Sequence, residues 1–177
     1  LLHFLVERRL DEFDERIELL LGANIGGATY LVAAECAGQG FTIFSVSGAT
    51  LTEVIHVADT ATSYAAGISA LATVSIGGRT FILTGSATES GVSSHELLGN
   101  GQVLPRASLG VNDLVPLQGV TSLKTVSVGG QDYVVAGSTT NSGLTVLSVA
   151  ADGALTAVDH LVDDLSTRFA GVTALST

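Results

Sequence analysis

The chain has 177 residues, 46% of them hydrophobic and 5% aromatic, with 17 acidic against 7 basic residues and a formal net charge of −10. This length and apolar content fit one folded domain with a sizeable core and exclude a disordered chain. The acidity and the single lysine, Lys124, exclude sequence-independent nucleic-acid binding, which needs clustered cations to displace phosphate counterions.

Residues 1–24 stand apart, with 9 of 24 charged against 15 of the 153 that follow. Leu10, Phe13, Ile17, Leu20 and Leu21 recur at helical spacing among Asp, Glu and Arg, which predicts a short amphipathic helix over 7–20. The rival reading makes this segment the worn tail of a preceding repeat, because Ile17 to Ile25 aligns with Ile68 to Ile76. From Ile25 onward the chain repeats. Ile25-Gly26-Gly27, Ile76-Gly77-Gly78 and Val128-Gly129-Gly130 are spaced by 51 and 52 residues. Gly40, Gly91 and Gly143 keep the same step, as do Gly67, Gly119 and Gly171. The repeats are bounded as 25–75, 76–127 and 128–177.

Each repeat reads as four short strands, clearest in the third. Val120 to Val128 is a first strand, and Gly129-Gly130 a two-residue hairpin turn of the kind that needs two positive φ angles. Tyr133 to Ala136, Leu144 to Val149 and Leu155 to Val162 are the second, third and fourth strands, separated by Gly, Asp, Asn and Ser clusters. Four strands in about 52 residues, repeated, predict an all-β fold of propeller blades: three antiparallel repeats that stack around an axis without closing a ring. Pro105 falls in the fourth strand of the middle repeat, which must then be an outer edge. In that repeat Ser93-Ser94-His95-Glu96 replaces the apolar alternation of the third strand. Because Gly171 to Thr177 matches Gly119 to Thr125, the expectation is a piece of a longer array. A short chain that closes its ring by self-association is the less favoured reading.

The chemistry is sparse. No phosphate loop, nucleophile elbow, zinc-protease helix or dinucleotide fingerprint is present. One cysteine, Cys36, excludes an intrachain disulfide and a cysteine-built zinc site. No run approaches the roughly 18 consecutive apolar residues of a spanning helix. His56 and His160 hold equivalent fourth-strand positions on the outer rim and read as structural, and His95 and His3 have no companions. Asp59, Asp113, Asp163 and Asp164 sit between a fourth strand and the next first strand. Glu35, Glu89 and Asn141 sit between second and third strands. In a propeller these loops share one face, so the seven residues are the candidate ligand face. They read either as a carboxylate ring able to hold a cation or as side chains that bond loop amides, and the second reading is preferred. No metal or cofactor is expected within the segment itself.

The run Val128-Gly129-Gly130-Gln131-Asp132-Tyr133-Val134-Val135-Ala136-Gly137-Ser138, with Gly143 to Val149 and Ala151 to Thr156, resembles the propeller repeats upstream of calcium-binding arrays in secreted bacterial hemolysin-type (RTX) proteins. It resembles lactonase-type propellers more loosely. The first resemblance implies a non-catalytic binding or scaffold segment of an extracellular protein. Its partner would be a protein or glycan on the loop face, with calcium bound elsewhere in the longer chain. The second implies a hydrolase with its site in the central channel. The first strands, Ile68 to Thr73 and Val120 to Thr125, carry Lys124 as their sole charged group, which counts against the enzyme.

Overall fold

The computed structural model describes residues 19–164, 166, 167 and 171–175. Twelve strands form three four-stranded antiparallel sheets, each with its strands in chain order. Blade 1 contains β1 (Leu19–Ile25), β2 (Ala28–Ala34), β3 (Gly40–Ser47) and β4 (Thr50–Ala58). Blade 2 contains β5 (Ile68–Ile76), β6 (Arg79–Ser86), β7 (Gly91–Leu97) and β8 (Val103–Gly110). Blade 3 contains β9 (Val120–Val128), β10 (Gln131–Ser138), β11 (Gly143–Val149) and β12 (Leu155–Val162). The all-β propeller expectation stands. Strand β5 packs beside β1 on one side and β9 on the other, so the first strands are innermost. The fourth strands, Pro105 in β8 among them, are outer edges. Of the helix expected over 7–20, residues 7–18 lie outside the described residues. Leu19 and Leu20 belong to β1, which pairs with β2 from Leu19↔Ala34 to Ile25↔Ala28.

The double glycines make the inner hairpins. Gly26 and Gly27 have φ of 58° and 84°, Gly77 and Gly78 60° and 79°, and Gly129 and Gly130 61° and 81°. Two successive positive φ angles twist the turn in the sense of the flanking strands, and only residues without a Cβ take them cheaply.

The blades are joined by contacts that repeat with the sequence. Strands β5 and β9 carry a bulge that skips Ser69 and Thr121 in the pairing with β6 and β10. A bulge re-aims the side chain it frees. Ser69 Oγ donates to the carbonyl of Val120 in the next blade, and Thr121 Oγ1 to that of Val172 at 2.6 Å. Gly85 and Gly137 are the matching notches, where an added Cβ would lie 2.7 Å from Val120 Cγ1 and 2.6 Å from Val172 Cγ1. Near the opposite end of the second strand an aromatic residue packs on a glycine of the next blade's outer hairpin. A Cβ on Gly101 would lie 2.7 Å from Tyr30 Cε1, and one on Gly153 2.8 Å from Phe81 Cε1. The core is therefore two seams. Val32, Phe41, Ile43, Ile68 and Ile82 fill the first, between blades 1 and 2. Phe81, Leu83, Val120, Val134 and Leu147 fill the second, between blades 2 and 3.

The second seam also holds an ion cluster. Glu96 accepts from Arg79 Nε at 2.7 Å and Arg106 Nε at 2.9 Å, with further bonds from both Nη2 groups. Arg79 Nη1 donates to the Ala151 carbonyl at 2.7 Å, which ties the cluster to blade 3. The hydrogen bond from Arg79, reinforced by Arg106 against the cost of desolvation, holds the Glu96 carboxyl down at about 2. The unfolded chain binds that proton near 4.5, so the stabilisation is complete above 4.5 and is lost as pH falls toward 2. Glu96→Gln is expected to lower the urea midpoint at pH 7 and to flatten its decline between pH 4.5 and 2. Wild-type and variant curves that stay parallel across that window would remove Glu96 from the acid response.

Candidate functional site

The inner strands leave a cavity of about 240 Å³ on the axial side, lined by Leu21 of β1, Leu71 to Thr73 of β5 and Leu123 to Thr125 of β9. Thr125 Oγ1 donates to the Thr73 carbonyl at 2.8 Å, which fixes β9 against β5 beside Lys124. Lys124 is half-buried, and it is the charged residue of this lining. One repeat earlier the same position holds Ala72, and one before that Leu21. The amine thus departs from the repeat's own apolar choice, at a place the packing alone leaves to small or apolar side chains.

The predicted loop-face residues lie on one end of the blades, where the Gln39↔Ala66 bridge and the bond from Gly67 N to Gly38 O at 2.9 Å join the two kinds of loop. Most of their carboxylates are engaged by the loops themselves. Asp59 Oδ1 accepts from Ser63 Oγ at 2.8 Å and Ala65 N at 3.1 Å. Glu89 Oε2 accepts from Ala66 N at 2.8 Å, and burial pushes its carboxyl up despite that bond. Asp113 Oδ2 accepts from Gly110 N at 2.9 Å. Asp163 Oδ1 accepts from Thr167 Oγ1 at 3.1 Å, repeating the Asp59–Ser63 pair 104 residues on. Asp164 Oδ1 accepts from Ser166 Oγ at 2.6 Å, Ser166 N at 2.7 Å and Thr167 N at 3.0 Å. These bonds, the Ser166 hydroxyl's foremost, hold its carboxyl down at about 2. Asn141 takes the place of Glu89 in blade 3, and its buried side-chain amide has no hydrogen-bond partner.

Asp59 and Glu89 converge on the adjacent amides of Ala65 and Ala66. Glu35 is brought beside Gln39, Glu53 and His56 around a cavity of about 140 Å³ on blade 1. The other predicted residues are spread over separate loops. Among the described residues no three His, Cys, Asp or Glu side chains gather as a metal site. His56 Nδ1 lies 3.0 Å from Thr42 Oγ1, and His160 is exposed on the outer strand. His95 is different. It is 2% exposed, and sequence reasoning passed over it because no companion residue stood nearby. The usable signal was the polar run Ser93-Ser94-His95-Glu96, which sits where the repeat demands a buried strand.

The architecture defines the chain as part of a β-propeller. The solved structures it resembles include a protein assigned as a 6-phosphogluconolactonase from Bacteroides fragilis, with a TM-score of 0.65 and 17% identity over 84% of this chain. The periplasmic gluconolactonase of Pseudomonas aeruginosa gives 0.59 and 17% over 82% of this chain. The exo-β-1,3-galactanase of Phanerochaete chrysosporium, solved with β-1,3-galactotriose, gives 0.55 and 9% over 81%. The chain spans 39%, 39% and 38% of those structures respectively, so it matches well under half of each. No protein-family model and no curated protein matches the chain. At these identities the likeness shows the fold.

These neighbours correct the functional expectation. A non-catalytic segment of a hemolysin-type calcium-binding protein gives way to the lactonase branch of the resemblance, because the propellers matched include two lactonases. The expectation that the chain is not part of an enzyme falls with it. No helix among the described residues is long and apolar enough to cross a membrane.

Proposed function

We propose that this chain is part of a lactonase-type propeller hydrolase acting in the periplasm or outside the cell on a small hydroxylated lactone. The reading is carried by Lys124 in the axial cleft of a fold shared with two lactonase propellers. The extracytoplasmic location is supported by the periplasmic neighbour. In lactone hydrolysis water adds to the ring carbonyl, the carbonyl oxygen becomes an oxyanion, and the ring C–O bond then breaks. One proton of the water passes to the ring oxygen, which leaves as a hydroxyl, and the other is released to solvent as the carbonyl carbon becomes a carboxylate. A fixed cation in a cleft of low polarity stabilises the oxyanion and the carboxylate product. Lys124, on the strand that the Thr125–Thr73 bond fixes against β5, is the residue of the lining that can supply that cation. Glycoside hydrolysis, the galactanase's chemistry, uses a pair of carboxylates. The lining here offers an amine and threonine hydroxyls instead.

The test is hydrolysis of glucono-δ-lactone and its 6-phosphate, corrected for the spontaneous rate. Lys124→Met is expected to lower kcat/KM by about 10²–10³-fold, the usual loss on removing one oxyanion donor, with the melting curve unchanged. Wild-type protein that adds nothing to the spontaneous rate sinks the lactonase reading. Activity untouched by Lys124→Met moves the site out of this cleft.

A further inference from the structure

The outer hairpin of blade 2 joins β7 to β8 through Leu98-Gly99-Asn100-Gly101-Gln102, and Tyr30 of blade 1 grips it at two points. The Tyr30 hydroxyl donates to the Gly99 carbonyl at 2.8 Å. The Tyr30 ring packs on Gly101, which is buried, and Val54 Cγ1 of β4 would lie 2.9 Å from a Cβ added there. Asn100 stands between the two points of grip and is exposed to solvent. It is the one asparagine followed by glycine, since Asn24, Asn112 and Asn141 precede Ile, Asp and Ser. Asparagine is a thermolabile residue, and a following glycine has no side chain to shield its amide nitrogen.

We propose that Asn100 is a site of spontaneous deamidation, and that its isoaspartyl product unlocks the seam between blades 1 and 2. Asn100 Oδ1 accepts from Gln102 N at 3.1 Å, which polarises the side-chain carbonyl. The Gly101 N–H is held by the Leu98 carbonyl at 2.8 Å, so that bond opens first. The freed nitrogen attacks Asn100 Cγ, its proton leaves with the side-chain amide as ammonia, and a five-membered succinimide forms. Water then opens the ring on one of its two sides. Breaking the Cγ–N bond leaves an ordinary aspartate. Breaking the α-carbonyl C–N bond leaves the main chain running through Cγ, with the α-carboxylate as the side group. Either product has lost one ammonia and gained one water, and nothing is oxidised or reduced.

The two products act differently on the hairpin. Blade 3 shows that the fold accepts the aspartate, because Asp152-Gly153 holds the equivalent turn. Asp152 Oδ1 accepts from Ala154 N at 3.0 Å, and Gly153 N donates to Ala150 O at 2.8 Å. Gly153 has φ of 91° against 81° for Gly101. The isoaspartyl link instead adds a methylene to the main chain between Gly99 and Gly101. It lengthens the chain between the two points that Tyr30 holds, so the hydroxyl bond and the ring contact cannot both be kept.

The experiment ages the purified protein in mildly alkaline buffer at physiological temperature and maps it with trypsin and mass spectrometry. Cleavage after Arg79 and Arg106 isolates Asn100 in the peptide 80–106, apart from the other three asparagines. That peptide is expected to gain about 1 Da, faster than those carrying Asn24, Asn112 or Asn141, and to resolve into aspartyl and isoaspartyl forms. Urea unfolding of the aged protein is expected to split. A fraction equal to the isoaspartyl share unfolds early, with a folding constant about tenfold or more lower, the worth of one hydrogen bond. Freshly purified Asn100→Asp is expected to unfold with the unaged protein. A mass gain at 80–106 no faster than at the other asparagines overturns the proposal. So does a product that is aspartyl alone, an isoaspartyl fraction that unfolds with the unmodified protein, or an Asn100→Asp protein that unfolds as early as that fraction.

Discussion

His95→Leu is expected to make the protein more stable, and most of all in acid. Burial pushes the His95 imidazole down from 6.5 to about 4, so the folded state keeps it neutral where the unfolded chain protonates it. A base whose folded pKa is depressed contributes stability that is complete above 6.5 and is lost as pH falls toward 4. The depression corresponds to about 3 kcal/mol of acid destabilisation once pH is below 4. Leucine removes that loss and the orphaned ring nitrogens, which cost about 1–3 kcal/mol more. Glu89 works in the opposite direction, since its raised carboxyl pKa favours folding as pH falls, and it is common to both proteins. The difference between variant and wild-type urea midpoints across pH 7 to 4 therefore isolates His95. A constant difference over that range would mean that the ring protonates as freely in the fold as outside it.

Phe81→Ala is expected to cost about 3–5 kcal/mol, the range for truncating a buried phenylalanine. Phe81 is fully buried in the second seam, packs against Gly153 of the next blade and lies under the Arg79 guanidinium, 5.5 Å from its ring centroid. The ring is therefore the floor of the ion cluster as well as core. Its loss opens a cavity between blades 2 and 3 that neither backbone can close, because the hairpin carrying Gly153 is held by the bonds from Gly153 N to Ala150 O and Ala150 N to Ala154 O. Denaturant unfolding measures the loss. A cost below about 1 kcal/mol, the level of an ordinary substitution, would show that the seam collapses freely and that the blades are not locked by this contact.

Much of the architecture was legible because the repeat is written in residues with narrow conformational meaning. Gly26-Gly27, Gly77-Gly78 and Gly129-Gly130 demand positive φ, and the alternating Val, Ile and Thr between them fit only paired strands. Pro105 marked an outer edge for the same kind of reason, since a residue without an N–H cannot sit inside a sheet ladder. Asp59, Asp113 and Asp163 accept hydrogen bonds from their own loops, contacts that depend on the fold of each loop and not on spacing along the chain. The beginning of blade 1 was harder to read. Leu20 and Leu21 satisfy a helical spacing as well as a strand, and only their pairing with Ala33 and Val32 decides between the two.

Lys124 and His95 show where a single sequence stops. Each was visible as a departure from the repeat: an amine in place of Ala72, an imidazole in place of Leu147. Spacing along the chain says which strand a residue is on and which face of the sheet it takes, because the strand period is two. It does not say what stands on the other side of the seam. The lining of the axial cleft comes from blades 1, 2 and 3, and the groove beside His95 from β4, β7 and β8, segments dozens of residues apart. Local backbone preference and periodicity dictate the blades, their turns and their order. Packing between blades settles which departures from the repeat face a cavity and which lie in solvent, because a cavity forms where two distant segments meet and neither carries the other's address.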